Sequence, residues 1–350
     1  MPYINDKLAA NQAFIEQEKH KKKLHRSSRF HYEPEQVMEA LRARIVGQNH
    51  VISAMEDMLH LVKADFGEEH KPLAVNFLLG PTGVGKTETV KVIAKAILGN
   101  ANAWCRIDMN TLAQEHYAAA LTGAPPGYVG SKEGHTVLDE QAIQGSYSKP
   151  GIVLFDEIEK ASKDVVRTLL NVLDTGRLVL PNGNKVIDFS NAMIFMTSNV
   201  GAKEVQAQRE SPKKTWLNWF KPYQQQSDEA VFIQCLKKHF DPEFLNRIDR
   251  ILIYHSLHEN TLDAILDIEI EQLNHRLQRK QANITLSDSA KKRLLSYYNN
   301  HYGARNIALQ LRLKIEPLLA KAMIKHIDKH HFIAEYKDKT FSVNPHDRPC

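Results

Sequence analysis

A glycine-rich segment of eight residues constrains the fold of this chain more than any other part of its sequence. Residues 80–87, GPTGVGKT, match the pattern G-x-x-x-x-G-K-[ST] at every position. Its glycines let the loop turn tightly, so that successive backbone N–H groups can surround phosphates. Lys86 can bring a positive charge to the β and γ phosphates, and the Thr87 hydroxyl can ligate Mg²⁺. The apolar run 73–79 and a helical pattern over 87–98 flank the loop, as a phosphate site requires.

Two adjacent carboxylates follow a second apolar run. Residues 151–155, GIVLF, predict a buried strand, and Asp156 and Glu157 stand at its carboxyl end, where ligands bind in open α/β sheets. Asp156 can hold Mg²⁺ through water, and Glu157 is placed to polarise an attacking water. Alone, this pattern often marks only a strand that ends at the surface. Together with the phosphate loop, it predicts a site that binds ATP with Mg²⁺ and hydrolyses it.

Strand and helix patterns alternate through the first part of the chain. Apolar runs at 152–155, 192–196 and 251–254 are separated mostly by helical stretches, which predicts an α/β fold with a mainly parallel sheet. Residues 203–228 interrupt this alternation with prolines and a glutamine-rich patch and are predicted to form a surface loop.

Beyond residue 255 the pattern becomes mostly helical. Helices are predicted at 259–279, 288–300 and 304–328, and short strands at 284–286, 332–336 and 340–343. We therefore expect three regions, which are a basic polar tail (1–34), a P-loop ATPase domain (35–255) and a small helical domain (256–350).

The charge of the chain is nearly balanced outside one short basic run. Lys and Arg number 46 against 41 Asp and Glu, a net charge of +5, and residues 16–29 hold six basic and two acidic residues. About one unit of positive charge is left for the remainder, which does not favour a long basic groove for nucleic acid. The run itself is either a solvated helical face or a contact for phosphates or an acidic partner.

Several classes of protein are disfavoured by composition. No stretch approaches the roughly 18 to 20 apolar residues of a membrane-spanning helix, and residues 1–10 contain no apolar signal segment. The three cysteines are far apart and fit no disulfide or metal pattern. His326 and His330 are predicted to share an exposed helix face without a third metal ligand. We expect a cytoplasmic protein with no membrane partner.

These motifs and several others resemble the Clp family of AAA+ protein unfoldases. The likeness covers residues 45–343 and is greatest to the second ATPase module of the ClpB-type disaggregases and their secretion-associated relatives. Residues 44–48, RIVGQ, resemble the segment that packs on adenine, which implies that Ile45 and Val46 contact the base. The resemblance implies the following nucleotide-binding residues: Ile45, Val46, Gly80, Pro81, Thr82, Gly83, Val84, Gly85, Lys86, Thr87, Glu88, Asp156 and Arg305.

The same resemblance implies roles for three residues far from the phosphate loop. Asn199, in MTSN, resembles the sensor-one residue that orients the hydrolytic water. Arg305, in YGAR, resembles the sensor-two residue, and Arg247, in FLNRID, resembles the arginine finger that reaches the γ-phosphate of a neighbouring subunit. Lys86 and Glu157 complete the implied catalytic set. Because a finger supplied in trans requires an oligomer, the resemblance implies a homo-hexameric ring.

Residues 121–130, LTGAPPGYVG, resemble the Clp pore loop that contacts the substrate. Glycines on both sides would let Tyr128 and Val129 protrude, and an aromatic ring can hold many sequences through apolar contact. Without this context, an ordinary Pro-Gly turn with a half-buried tyrosine would be the better interpretation. Residues 174–188 resemble the second pore-facing loop of the family. A protein substrate is therefore expected.

Departures from the family limit this interpretation. The N-terminal domain, first ATPase module and coiled-coil domain of the disaggregases do not fit here, and residues 201–240 lack the apolar-Gly-apolar tripeptide with which family members dock on the Clp peptidase. We expect an ATP-dependent unfoldase that does not dock on the peptidase. An ATP-regulated component of a secretion or remodelling machine is the alternative, and a nucleic-acid motor or loader is less favoured.

Overall fold

The computed structural model describes residues 28–100, 102–113, 138–179, 186–210 and 227–346. A five-stranded parallel sheet lies at the centre of the larger part, with its strands in the order β2-β3-β6-β1-β7. The strands up to residue 253 are β1 (Ala74–Leu79), β2 (Cys105–Asp108), β3 (Gly151–Asp156), β4 (Arg177–Val179), β5 (Val186–Asp188), β6 (Ala192–Ser198) and β7 (Arg250–Ile253). The prediction of an α/β fold with a mainly parallel sheet is confirmed.

The three central strands are buried on both faces. Every residue of β1, β3 and β6 is buried, which explains why their sequences are continuous apolar runs rather than alternating ones. Successive side chains point to opposite faces. In β1, for example, Leu78 packs in the apolar cluster on one face, while Phe77 and Leu79 pack in the cluster on the other. The carboxyl ends of these strands therefore meet at one well-supported edge.

Helices cover both faces of this sheet. They are α1 (Pro34–Arg44), α2 (Asn49–Lys63), α3 (Lys86–Leu98), α4 (Glu140–Gln144), α5 (Lys163–Thr175), α6 (Ala202–Glu210), α7 (Asp228–His239) and α8 (Pro242–Leu245). Helix α3 starts one residue before the predicted position, directly after Gly85, and ends at Gly99, whose φ of 75° suits a glycine at a helix end.

The second part of the chain is mostly helical, as predicted. It contains α9 (Glu259–Leu277), α10 (Asp288–Leu295), α11 (Ala304–Lys314), α12 (Glu316–Lys325), β8 (Asn283–Leu286), β9 (His331–Lys337) and β10 (Thr340–Pro345). The strands form a sheet in the order β10-β9-β8. One apolar cluster runs from α1 and α2 through α9 into this sheet, so the two parts share buried contacts.

Three predicted segments differ from the structure. The loop predicted at 203–228 begins as helix α6, whose Val205 is buried in the core; beside it the helix has only alanines as apolar residues, and this periodicity was too weak to reveal the helix. The helix predicted at 304–328 is two helices, because Pro317 cannot continue α11 and instead lies in the first turn of α12. The helix predicted at 288–300 ends at Leu295.

The end of α12 also corrects the histidine prediction. Helix α12 ends at Lys325, so His326 is its C-cap and His330 lies beyond it, with its Nδ1 2.8 Å from the Gln281 carbonyl. The two side chains therefore do not share a helix face. Within the described ranges, no cluster of His, Cys, Asp and Glu is arranged to hold a metal ion. No helix there combines the length and apolar character of a membrane-spanning segment.

Candidate active site

A cavity of about 380 Å³ opens at the carboxyl edge of the sheet, between the phosphate loop and the helical part of the chain. Most of the residues predicted to bind or hydrolyse a nucleotide line it. Those residues are Ile45, Val46, Thr82, Gly83, Val84, Gly85, Lys86, Thr87, Glu88, Asp156, Glu157, Asn199 and Arg305. Gly80 and Pro81 are not among its lining residues and take part through their carbonyl groups instead.

Lys86 is held inside the phosphate loop. Its Nζ donates to the carbonyl oxygens of Gly80 and Pro81, at 2.6 Å each, and to Asn199 Oδ1 at 2.9 Å. Its side chain is buried, and this burial lowers the pKa of Lys86 to about 7, against the raising effects of Glu159 and Asp156. The loop and the end of β6 thus converge on one ammonium group, which is placed to meet phosphate oxygens.

Asp156 lies at the end of β3 and carries several contacts. Its Oδ1 accepts hydrogen bonds from the Thr197 hydroxyl and, at 3.3 Å, from the Thr87 hydroxyl. Its Oδ2 accepts from Arg106 Nε at 3.1 Å and Nη2 at 2.6 Å. A hydroxyl and a carboxylate in contact form the oxygen donor set that Mg²⁺ prefers beside substrate phosphates. The residues present therefore fit the predicted metal role of Thr87 and Asp156.

Glu157 has an unusual backbone conformation for a residue with a side chain. Its φ and ψ of 58° and 53° lie in the left-handed region, which is uncommon outside glycine and concentrates at functional sites. Its N–H donates to the Thr197 hydroxyl at 3.0 Å, and its Oε2 accepts from Asn110 Nδ2 at 2.7 Å. Both contacts fix the direction of the carboxylate as the chain turns away from the sheet.

Four polar contacts at this site were not predicted from the sequence. They come from Arg106, Asn110, Thr197 and Glu159, which contact Asp156, Glu157 or Asn199. Thr197 lies inside the MTSN segment, and Glu159 lies two residues after Glu157. Their closeness in sequence to predicted site residues could therefore have indicated that they belong to the site. Arg106 and Asn110 had none, because only the pairing of β2 beside β3 brings them to the site.

Part of the cavity lining is apolar. Ile45 and Val46 line the cavity together with residues of the helical part of the chain, among them Leu257, Ile265 and Ile268. Aliphatic side chains of this kind suit a flat heterocyclic ring. Glu269 also lines the cavity, and burial, followed by the nearby Glu88, raises the pKa of its carboxyl group.

The helical part of the chain touches the phosphate loop through its backbone. The N–H of Ala304, the first residue of α11, donates to the Gly83 carbonyl at 2.9 Å. A side chain at Gly83, where φ is 75°, would come within 2.3 Å of the Tyr302 carbonyl oxygen. Only glycine permits this approach. Arg305, one residue further along, is thereby brought to the cavity, and its charge acts to lower the pKa of Lys86.

Arg247 is not brought to this cavity. Its Nε lies 2.7 Å from Asp174 Oδ2 near the end of α5, and its Nη1 donates to the Glu243 carbonyl at 2.8 Å. It is absent from the residues that line the cavity. Its guanidinium thus lies apart from the phosphate loop of its own chain.

Tyr128 and Val129 lie outside the described residues. The second predicted loop, 174–188, contains the antiparallel pair of strands β4 and β5, and its residues 180–185 also lie outside the described ranges.

Two family models match the chain. The model described as "AAA domain (Cdc48 subfamily)" matches residues 71–251, and the model described as "C-terminal, D2-small domain, of ClpB protein" matches residues 257–332. The first match spans the parallel sheet and the phosphate loop. The second covers helices α9 to α12 and strand β8.

Curated proteins of similar sequence carry related names. The chain is 42% identical, over 86% of its length and 83% of the relative's, to the ATP-dependent protease ATP-binding subunit-like protein AmiB of Pseudomonas aeruginosa. It is 38% identical to an ATP-dependent protease ATP-binding subunit-like protein of Rhodococcus erythropolis, over 84% of each chain. It is 36% identical to the ATP-dependent Clp protease ATP-binding subunit ClpC of Staphylococcus epidermidis, of which it spans 34%.

Proposed function

The chain belongs to the Clp family of AAA+ ATPases, and on that premise we propose that it forms a homo-hexameric ring that threads proteins through a central pore. ATP hydrolysis by this family drives the remodelling of other proteins, and an ATP-dependent chaperone or unfoldase is the general class. The ring, the pore and the threading of a polypeptide are the specific parts of the proposal.

The position of Arg247 is the observation that supports the proposal of a ring. Among the described residues, the cavity already contains a phosphate-loop lysine, an acidic pair and a sensor amide, while Arg247 stands apart beside Asp174. A guanidinium that stabilises charge on a γ-phosphate must come close to it. In a ring, Arg247 of one subunit enters the site of the next. Each site is then complete only at a subunit boundary, which links hydrolysis to the arrangement of the ring.

Within one site, each residue has its own role in binding or hydrolysing ATP. Lys86 and the N–H groups of residues 80–87 hold the phosphates, and Arg305 supports them from the helical part of the chain. Thr87 and Asp156 would hold Mg²⁺, which would supply positive charge beside the phosphates. Glu157 polarises the attacking water, whose position Asn199 sets. Ile45 and Val46 contact the adenine.

Hydrolysis moves the substrate-contacting residues. Loss of the γ-phosphate changes the contacts of Arg305 and of the neighbour's finger, so that one part of the chain shifts against the other. Residues 114–137, which carry Tyr128 and Val129, follow the short helical turn that contains Asn110, and Asn110 contacts Glu157. Because residues 114–137 follow this turn directly in sequence, its contact with Glu157 supports a coupling between hydrolysis and the binding of a polypeptide by Tyr128.

The regions and partners follow from this arrangement. We propose a basic tail (1–34), an ATPase domain (35–255) and a small helical domain (256–350), acting in the cytoplasm on protein substrates. The relatives named as ATP-binding subunits of ATP-dependent proteases suggest a peptidase as a partner. The lack of an apolar-Gly-apolar tripeptide in residues 201–240 favours release of the unfolded chain without docking on the Clp peptidase.

The threading proposal predicts a separation of two activities in Tyr128→Ala. This variant is expected to abolish ATP-dependent unfolding of a tagged fluorescent protein, because the aromatic side chain that holds the polypeptide is lost. ATP hydrolysis is expected to continue. The measurement is the loss of substrate fluorescence beside the release of phosphate. Tyr147→Ala, at a tyrosine that is 79% exposed elsewhere, is the matched control and is expected to unfold the substrate normally. Normal unfolding by Tyr128→Ala would contradict threading.

A further inference from the structure

Glu159 is a carboxylate at the active site to which the proposed function assigns no role in hydrolysis. It belongs to a short 3₁₀ turn, Ile158–Lys160, which follows directly after Glu157. Its Oε1 accepts a hydrogen bond from the backbone N–H of Asn199 at 3.0 Å. Its Oε2 is buried and has no hydrogen-bond partner in the described part of the chain.

The residue that Glu159 contacts has no other evident anchor for its N–H. Strand β6 ends at Ser198. Its pairing with β1 ends there, opposite Leu79, and its pairing with β3 ends earlier, at Met196 opposite Phe155, so neither neighbouring strand is paired with Asn199. Glu159 supplies the missing acceptor. The Asn199 side chain, in turn, accepts a hydrogen bond from Lys86 at 2.9 Å. One continuous path of hydrogen bonds therefore joins the acidic turn to the phosphate loop.

The arrangement is costly for the fold. A buried carboxylate oxygen without a partner destabilises a protein, and such groups in a native structure call for an explanation. The turn that carries Glu159 also follows the left-handed conformation of Glu157. Costs of this kind concentrate where a site must hold its groups in fixed positions.

We propose that Glu159 is a positioning residue for hydrolysis, whose hydrogen bond to the Asn199 N–H holds the sensor side chain against Lys86. The inference rests on the role proposed above for Asn199. We assign the effect on kcat to the reach of the acceptor; the charge of Glu159, which acts to raise the pKa of Lys86, is the competing cause that the variants below separate. Glu159 acts through Asn199 and does not itself touch the nucleotide.

Two conservative variants separate reach from charge. Glu159→Asp keeps the charge but shortens the side chain by one carbon–carbon bond, about 1.5 Å, so it cannot reach the Asn199 N–H. Glu159→Gln keeps the length and a carbonyl acceptor. Since a misplacement of about 1 Å in a site can cost up to about 100-fold in rate, Glu159→Asp is expected to lower kcat by about tenfold or more, with KM for ATP changed by less than about twofold. Glu159→Gln is expected to lower kcat by about twofold.

Steady-state ATP hydrolysis by the full chain measures both constants, and binding of a fluorescent ATP analogue together with the thermal midpoint reports folding. Glu39→Asp, the same change at an exposed glutamate of α1, is the matched control and should leave kcat unchanged. A fall in Glu159→Gln as deep as that in Glu159→Asp would overturn the proposal, because an acceptor of full length would then not be enough; a fall in Glu159→Gln alone would overturn it too, because charge would then be the cause. A loss confined to KM would also overturn it.

A double-variant comparison tests whether Glu159 acts through Asn199. If it does, Glu159→Asp lowers kcat little further once Asn199→Ala is present. Losses that multiply would overturn the proposal. If Asn199→Ala alone keeps the kcat of the natural chain, the sensor role of Asn199 is refuted first, and this inference falls with it. A different outcome refutes only this inference and leaves the sensor role of Asn199 intact: Glu159→Asp keeps the natural kcat while Asn199→Ala lowers it.

Discussion

The Thr197 hydroxyl ties together the two carboxylates of the acidic pair. It donates to Asp156 Oδ1 and accepts the N–H of Glu157 at 3.0 Å. The side chain is buried at the centre of the sheet edge. A single hydroxyl thus orients a predicted metal ligand and, through the backbone, the predicted base.

Thr197→Val removes this hydroxyl while keeping the shape of the side chain. The Glu157 N–H loses its partner, so we expect a destabilisation of about 1–3 kcal/mol. We also expect kcat for ATP hydrolysis to fall by about tenfold, with nucleotide binding preserved, because the carboxylates lose a common anchor. Thermal unfolding and phosphate release measure the two effects. Thr168→Val, at a hydroxyl that bonds only its own helix backbone at Asp164, should show neither, and equal kcat values for the two variants would contradict the account.

Motifs predicted the residues whose chemistry a triphosphate dictates, and contacts between strands supplied the rest. Lys86, Thr87, Asp156 and Glu157 were identifiable because the phosphate loop and the acidic pair demand those residue types at that spacing. Arg106 was not, because its contact with Asp156 exists only through the parallel register in which Asp108 of β2 lies opposite Asp156 of β3. Sequence patterns do not encode such a register.

Among secondary-structure elements, α11 and the phosphate loop form a very close junction. Gly83 and Gly303 approach so closely that a side chain at either would overlap backbone of the other segment, at 2.3 Å and 2.6 Å. The Ala304 N–H to Gly83 carbonyl bond closes the same contact. The position of Arg305 depends on this docking.

Gly83→Ala is expected to weaken ATP-analogue binding by about tenfold or more, because the added carbon drives α11 from the loop and Arg305 from the phosphates. Gly99→Ala is the matched control, since Gly99 has the same φ of 75° but nothing within 4 Å of an added carbon. It should show only the backbone strain, about 1–2 kcal/mol. Gly303→Ala, outside the loop, should reproduce the binding defect. Normal binding by Gly303→Ala would show that docking of α11 does not position the site.

Two histidines meet where the connection between the two parts of the chain passes the start of helix α2. Gln48 and His255 exchange hydrogen bonds through the Gln48 amide and the His255 backbone, at 2.9 and 3.0 Å. The rings of His50 and His255 lie 4.5 Å apart. Burial lowers the pKa of His255, and the nearby His50 lowers it further. The other charged groups facing His255 are Glu229 and Asp228, which act to raise its pKa, and Arg209, which acts to lower it.

This pair predicts a loss of stability in mild acid. The unfolded chain takes up a proton on His255 near pH 6.5, whereas the folded protein does so only at lower pH. Between these values the unfolded chain binds more protons, so the free energy of unfolding falls as the pH drops. His255→Gln should therefore show a smaller fall in thermal midpoint from about pH 7.5 to about pH 5.5. His70→Gln, at an exposed histidine, is the control, and an unchanged pH dependence in His255→Gln would contradict this.

The predictability of elements followed the strength of their pattern. The fully buried, mostly apolar strands β1, β3 and β6 and the long helix α9 were recognised within a few residues of their bounds. Helix α6 was missed because Val205 is the only large apolar residue on its buried face. The break between α11 and α12 was missed although Pro317 signalled it, because the apolar spacing continues across the proline.

In the assembled protein, the proposed ring depends on Arg247 acting at the site of a neighbouring subunit. Within its own chain this residue pairs with Asp174 and contacts the Glu243 carbonyl, apart from the cavity that holds Lys86 and Glu157. Sequence resemblance predicted a trans role for it, and the single chain alone cannot complete the site in that scheme. The fold class and the family could be predicted in full from the motifs, whereas the ring depends on contacts between chains that one sequence does not encode.

Two variants that are inactive for different reasons test this claim directly. Glu157→Gln is expected to bind ATP without turning it over, yet it still presents Arg247 to a neighbour. Arg247→Ala keeps Glu157 but cannot complete the neighbouring site. In an equal mixture, about a quarter of the subunit boundaries combine a natural Glu157 with a natural Arg247.

The measurement is ATP hydrolysis by each variant alone and by the mixture after co-assembly, verified by co-purification of differently tagged chains. The account predicts almost no turnover in either pure variant and recovery in the mixture toward about a quarter of the natural rate. Full turnover by Arg247→Ala alone, or no recovery in a mixture shown to contain both chains, would contradict it.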